Sequence, residues 1–186
     1  MSNVNFKTLI FLWFVVIFGG IGLAIYSLGK FEEKSQEQYL EKLGSEPNAP
    51  ICLKMYNSIE KYSKKYHIPQ HIAYNVAFRE TRYQGPFHWT YTPNHVSFAG
   101  AVGPMQIMTR FAHKYAGRIV TDRELINDID LNVKVSMRML RAWYDTYHSW
   151  GLACGGYNTG SPVINEYASF CINTKDYKKN WIRYSR

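Results

Sequence analysis

The sequence predicts a mainly α-helical domain behind one N-terminal membrane-spanning helix. Leu9 to Leu28 is a run of 20 residues without a charge. As a helix it spans about 30 Å, the thickness of a bilayer's hydrocarbon core. Beyond residue 50, apolar residues recur at intervals of three and four, the spacing of one helix face. No stretch alternates apolar and polar residues well enough for a sheet, and no internal repeat is visible. The chain has 186 residues, enough for one core of ordinary size.

In chain order, residues 1–8 read as a short inside terminus carrying Lys7. Residues 9–28 are the anchor, with Trp13 and Tyr26 placed for the two interfaces. The weak positive-inside bias puts the rest of the chain outside the cytoplasm. A cleaved signal peptide is the rival, but its apolar region is usually about 7–15 residues. Residues 29–50 are charged and polar, with Gly44, Pro47 and Pro50, and read as a stalk. The domain, 51–174, starts with Ile51, Met55, Ile59 and Tyr62, one face of a helix from Ile51 to Tyr66. Pro69 suits the first turn of another helix, running to about Arg82. Gln84 to Gly103 is rich in Gly, Pro and aromatics and reads as a long loop. Thr121 and Glu124 make a capping-box spacing for a short helix. Ile129, Val133, Met137, Leu140 and Tyr144 mark a long one. Trp150–Tyr157 is a further apolar helix ended by Gly160 and Pro162, and Val163–Phe170 a last one. Residues 175–186 form a basic, aromatic tail that is either solvated or in contact with anionic lipid or wall polymer.

Composition excludes several classes. Apolar residues are 46% and charged residues 19%, which rules out a disordered polyelectrolyte. A net charge of +8 favours anionic partners without choosing among them. Basic residues are not gathered on one recognition helix, so no nucleic-acid partner is expected. Cys52, Cys154 and Cys171 permit at most one internal bridge. Either Cys154 pairs with Cys171, or all three are buried thiols. Neither a paired Cys-x-x-Cys nor a useful His spacing appears. His67 and His71 have Pro69 between them, so neither a metal nor a cofactor is expected.

Glu80 is the most informative residue. Its helix carries the apolar stripe Ile72, Ala73, Val76 and Ala77, and Glu80 continues that stripe. An ionisable group there is costly unless it is paired or lines a cleft. Burial disfavours the anion and raises a carboxyl pKa. A carboxylic acid still protonated near neutrality can donate to a glycosidic oxygen. The alternative is local pairing with Arg79 or Arg82.

Three pieces of sequence follow in order: Glu80-Thr81, then Gly100-Ala101-Val102-Gly103-Pro104-Met105-Gln106-Ile107-Met108, then Gly156-Tyr157-Asn158-Thr159-Gly160. Together they resemble the soluble-type (SLT) lytic transglycosylases, which have a goose-type lysozyme-like fold. The family pattern is Glu-Ser, Gly-Ala-x-Gly-Leu-Met-Gln-Ile and Ala-Tyr-Asn-Ala-Gly. Asn132-Val133 matches a further Asn-Ile step. The resemblance covers about Ile51 to Val163. Thr81 replaces the Ser after the acid and keeps a hydroxyl, while Pro104 replaces a Leu and removes a backbone donor. The stretch between Glu80 and Ser97 is longer than usual. Its Phe87, His88, Trp89, Tyr91 and His95 either wall the groove or pack on the domain's own surface.

The resemblance implies cleavage of the β-1,4 bond between N-acetylmuramic acid and N-acetylglucosamine in peptidoglycan. The muramic C6 hydroxyl attacks the anomeric carbon and leaves a 1,6-anhydro end. One carboxyl serves both steps, protonating the leaving oxygen and then taking the C6 hydroxyl proton. By position, Glu80 is the acid/base. Ser97 and Gln106 hydrogen-bond the sugar or its peptide-bearing arm, and Met108 lines the groove. Tyr157 orients Glu80 or the N-acetyl group, and Asn158 supports that wall. Packing is the plain alternative for Met108 and Asn158. The expected partners are glycan strands, the membrane through residues 9–28, and an envelope-spanning or viral assembly. The rivals are a hydrolytic muramidase of the same fold and a non-catalytic wall-binding module.

Overall fold

The computed structural model describes the backbone of residues 6–181 and the side chains of 25–179 and 181. The chain forms two units, 1–42 and 43–186. Helix α1, Phe6–Gly44, accounts for the first unit. The expected stalk is therefore helical up to Gly44, because residues 30–43 are dominated by good helix formers such as Lys, Glu, Gln and Leu. The expected anchor over 9–28 falls mostly on side chains outside the described residues. Among the described residues, no helix is long and apolar enough to cross a membrane.

The second unit is built on helices. Helix α2, Ile51–Lys65, buries Cys52, Met55, Tyr56, Ile59 and Tyr62. Helix α3, Gln70–Thr81, follows Pro69 and ends where Arg82 adopts a left-handed conformation. One buried carboxylate ties the two together. Glu60 accepts from Gln70 Nε2 at 2.6 Å and from the Tyr74 hydroxyl at 2.9 Å, and Lys64 lies 3.2 Å away. Paired in this way, a buried charge is tolerated.

Strands β1, Ala101–Val102, and β2, Ile107–Met108, pair antiparallel, with Ala101 opposite Met108. This small sheet corrects the expectation of none. Strands of two residues are too short for alternation to register in a sequence. Helix α4, Thr109–Ala116, follows at once and stops at Gly117; no periodic apolar spacing predicts it. Helix α5, Asp122–Asn127, carries the expected capping box between Thr121 and Glu124.

Helix α6, Ile129–Tyr147, is the central post of the unit and packs against α2, α4 and α7. Helix α7 is Trp150–Thr159, capped by the Ser149 hydroxyl and ended by Gly160. Helix α8, Glu166–Asn173, begins later than expected because Asn165 caps it through its side chain. A short 3-10 turn covers Tyr177–Asn180. The start of the tail divides: Lys175, Asp176 and Lys179 are exposed, while its aromatic rings pack on the domain. Trp181 is 8% exposed, its ring edge-on to Tyr74 and Tyr56 at 4.9 and 5.8 Å, and Tyr177 stacks on Tyr74 at 5.0 Å. Residues 182–186 lie outside the described ones.

All three thiols are free and buried. Cys154 on α7 and Cys171 on α8 hydrogen-bond each other. That bond and burial push the Cys171 thiol well above its ordinary value.

Candidate active site

A cleft of about 800 Å³ opens on the second unit. One wall comes from the end of α3 with α6 and α7, the other from the hairpin and α4. Glu80, Ser97, Gln106, Met108, Tyr157 and Asn158, all the site residues expected from sequence, line it.

Glu80 sits at the end of the buried stripe Ile72, Ala73, Val76 and Ala77. It is half-buried, and its Oε1 accepts a hydrogen bond from the Tyr167 hydroxyl at 2.5 Å. Burial pushes its carboxyl up to about 7; the Tyr167 bond, then the Arg79 charge, pull it back down. Neither Arg79 nor Arg82 forms an ion pair with Glu80. Arg79 lies over the rings of Tyr167 and Phe170, and Arg82 over Phe78. The local-pairing alternative therefore fails, because aromatic faces hold both guanidinium groups. Glu80 is the sole carboxyl among the residues lining the cleft.

Tyr157 does not hydrogen-bond Glu80. Its hydroxyl donates to the Met105 carbonyl at 2.6 Å and lies 2.7 Å from Ser136 Oγ. With one proton to give, it receives the Ser136 hydroxyl and braces the turn of the hairpin. Tyr167, from α8, is the group that holds Glu80. No local spacing announces it, since 87 residues separate the two. Burial pushes both phenols well above their ordinary range, so each stays a neutral donor.

The hairpin wall hangs on side chains that bond its backbone. Fully buried Asn132 accepts from Met105 N at 3.0 Å and donates to the Val102 and Leu125 carbonyls at 3.2 and 3.0 Å. Gly103 makes this possible: its φ is +77°, and a Cβ there would come within 2.1 Å of Asn132 Nδ2. The Thr81 hydroxyl, kept where the family pattern has Ser, donates to the Pro104 carbonyl at 2.8 Å. Ser97 Oγ accepts from Ala101 N at 2.9 Å, leaving its own proton to give. Gln106 donates its Nε2 to the Gly103 carbonyl at 2.9 Å, leaving Oε1 to accept. On the helical wall, Asn158 Oδ1 accepts from Asn165 Nδ2 at 3.0 Å.

The aromatic stretch between Glu80 and Ser97 does not line the cleft. Trp89 is buried, stacks on Tyr91 at 4.4 Å, and donates Nε1 to the Thr81 carbonyl at 3.0 Å. Phe87, His88, Trp89, Tyr91 and His95 are all absent from the lining; Trp89 and Tyr91 pack on the domain's own surface, while His88 and His95 are exposed. The aromatic lining comes instead from Phe111, Tyr115, Trp143 and Tyr157. Gly156 admits Trp143, since a Cβ at that position would lie 2.5 Å from its ring. Among the described residues, no group of three or more His, Cys, Asp or Glu could hold a metal ion.

A helical unit with one raised carboxyl over an open cleft has the makings of a glycan-cleaving site. The family model of the transglycosylase SLT domain matches residues 57–180, and the chain belongs to that family. The match carries a lytic-transglycosylase type of glycan cleavage and a peptidoglycan substrate at the level of the family. Comparison with curated proteins and with solved structures gave no match.

Proposed function

We propose that the chain is a membrane-anchored, exported lytic transglycosylase that cuts the β-1,4 bond between N-acetylmuramic acid and N-acetylglucosamine, with Glu80 as its single acid/base. One observation carries the reading: burial raises the Glu80 carboxyl to about 7, so that it still carries a proton part of the time near neutrality, in a cleft lined by no second carboxyl. A glycosidase of the usual kind works with two carboxyl groups across the bond. A lone carboxyl suits an internal nucleophile instead.

In this mechanism Glu80 gives its proton to the glycosidic oxygen as the C1–O bond breaks. The muramic C6 hydroxyl then bonds C1, and its proton returns to Glu80. No water is consumed and the carboxyl is regenerated. Tyr167 donates to Glu80 Oε1 and steadies the anion between the two transfers. Ser97 and Gln106 offer the sugar or its peptide-bearing arm one donor and one acceptor, while Met108 gives it an apolar contact. Residues 9–28 anchor the chain with its N-terminus inside. A small anchored form suits local wall opening for an envelope-spanning or viral assembly, a step that rests on analogy.

The test is mass analysis of muropeptides released from purified sacculi. Anhydro ends, lighter than reducing ends by one water, are the expected product. Reducing ends as the sole product would replace this mechanism with that of a hydrolytic muramidase.

A further inference from the structure

Helix α4 turns one face to the cleft. Arg110, Phe111, Lys114 and Tyr115 all line it, two adjacent pairs one helical turn apart. The Arg110 guanidinium lies 4.8 Å over the Phe111 ring, and Lys114 Nζ lies 5.5 Å from the centre of Tyr115. Arg110 also donates to Met108 Sδ at 3.6 Å. Both cations are exposed, and no carboxylate among the described residues pairs with either. Nearby Asp122 instead takes the Thr109 hydroxyl, and Glu124 takes Arg118. The glycan rings that a groove of this kind receives are uncharged, so the sugar itself offers this pair of cations no opposite charge.

Resting on the peptidoglycan reading above, we propose that Arg110 and Lys114 seat a carboxylate of the peptide stem, so that the cleft selects stem-bearing over stem-free strands. A stem ends in a carboxylate and hangs from the muramic sugar beside the scissile bond. A guanidinium one helical turn from an ammonium can hold such a group from two sides. The rings beneath keep both cations at the wall and shorten their search. Aromatic faces between the charges give the apolar part of the stem a surface.

The experiment measures binding with the full chain carrying Glu80→Gln, so that substrate is not consumed. The probes are stem-bearing glycan strands, the same strands with their stem carboxyls converted to amides, and stem-free strands that keep only the lactyl carboxylate. The expected result is about three- to ten-fold tighter binding of the charged stems in low salt. The gap narrows toward unity near 0.5 M salt, where screening acts within about 4 Å. Arg110→Gln with Lys114→Gln removes the gap and leaves the amidated strands bound as before, while Arg110→Lys keeps most of it. Equal binding of charged and amidated strands overturns the proposal. So does a gap that survives the double substitution, or stem-free strands that bind as tightly as stem-bearing ones. Failure of the catalytic reading looks different: the chain without Glu80→Gln would release no muropeptides, whatever the binding gap.

Discussion

The two walls of the cleft are built by opposite means. The helical wall, α3 with α6 and α7, presents Glu80 and Tyr157 from elements whose backbones satisfy themselves, and its precision comes from close packing. The hairpin wall, Ser97 to Met108, has a sheet of two residues a side. Its carbonyls and amides are held by Asn132, Thr81, Ser97 and Tyr157, each through a side chain. A wall held by packing loses a little with each atom changed. A wall held by a few buried hydrogen bonds loses much when one anchor goes, because it leaves orphaned polar groups behind.

Glu80→Gln separates chemistry from architecture. It is expected to cut turnover of sacculi by about a thousand-fold or more, with far-UV circular dichroism unchanged. Parental clearing rates in that variant would remove Glu80 as the acid. Asn132→Ala should strike the hairpin wall hardest, costing about 2–4 kcal/mol, read from the denaturant midpoint of the full chain. Gly156→Ala is the matching insult to the helical wall. It forces the Trp143 ring aside at about 1–3 kcal/mol; if it proves costlier than Asn132→Ala, the contrast between the walls is wrong.

The pH dependence sharpens the picture of Glu80. Its folded carboxyl is raised from 4.5 to about 7, so between those values the folded state binds more protons than the unfolded. Stability therefore falls as pH rises from about 4.5 to about 7 and is level beyond. Glu80→Gln escapes this loss and should exceed the parent by about 1–3 kcal/mol at pH 8, and be no more stable below pH 4. Activity needs the protonated form, so it should fall about ten-fold per pH unit above 7. A profile flat from about pH 5 to 9 contradicts the assignment. Tyr167→Phe has the smallest expected effect. It removes the bond that lowers the Glu80 pKa, so the alkaline limb should move to higher pH by up to about one unit. A limb that stays in place would show that Tyr167 does not govern the proton.

Much of this was legible from residue order. The stripe Ile72, Ala73, Val76, Ala77 and Glu80 needs only a helix to put a carboxyl on the core side. The capping box at Thr121 and the stop at Gly160 are encoded by neighbours in sequence. Helix α4 was missed because its eight residues follow a Gly-rich stretch and bury one side chain fully, Ala112, too few for a periodic signal. The aromatic loop was ambiguous because Trp89 can face a sugar or Tyr83 with equal propensity; contact with Thr81 and Tyr91 decides.

Local order along the chain thus determined most of the helices, the family motifs and the place of Glu80 on the core side of its helix, since helix formation and capping act over three or four residues. Tertiary structure alone decided which phenol holds that acid, which rings line the cleft, and where Arg110 and Lys114 stand. These are meetings of side chains far apart in sequence, and desolvation, which raises the Glu80 carboxyl, exists only once the walls have closed around it.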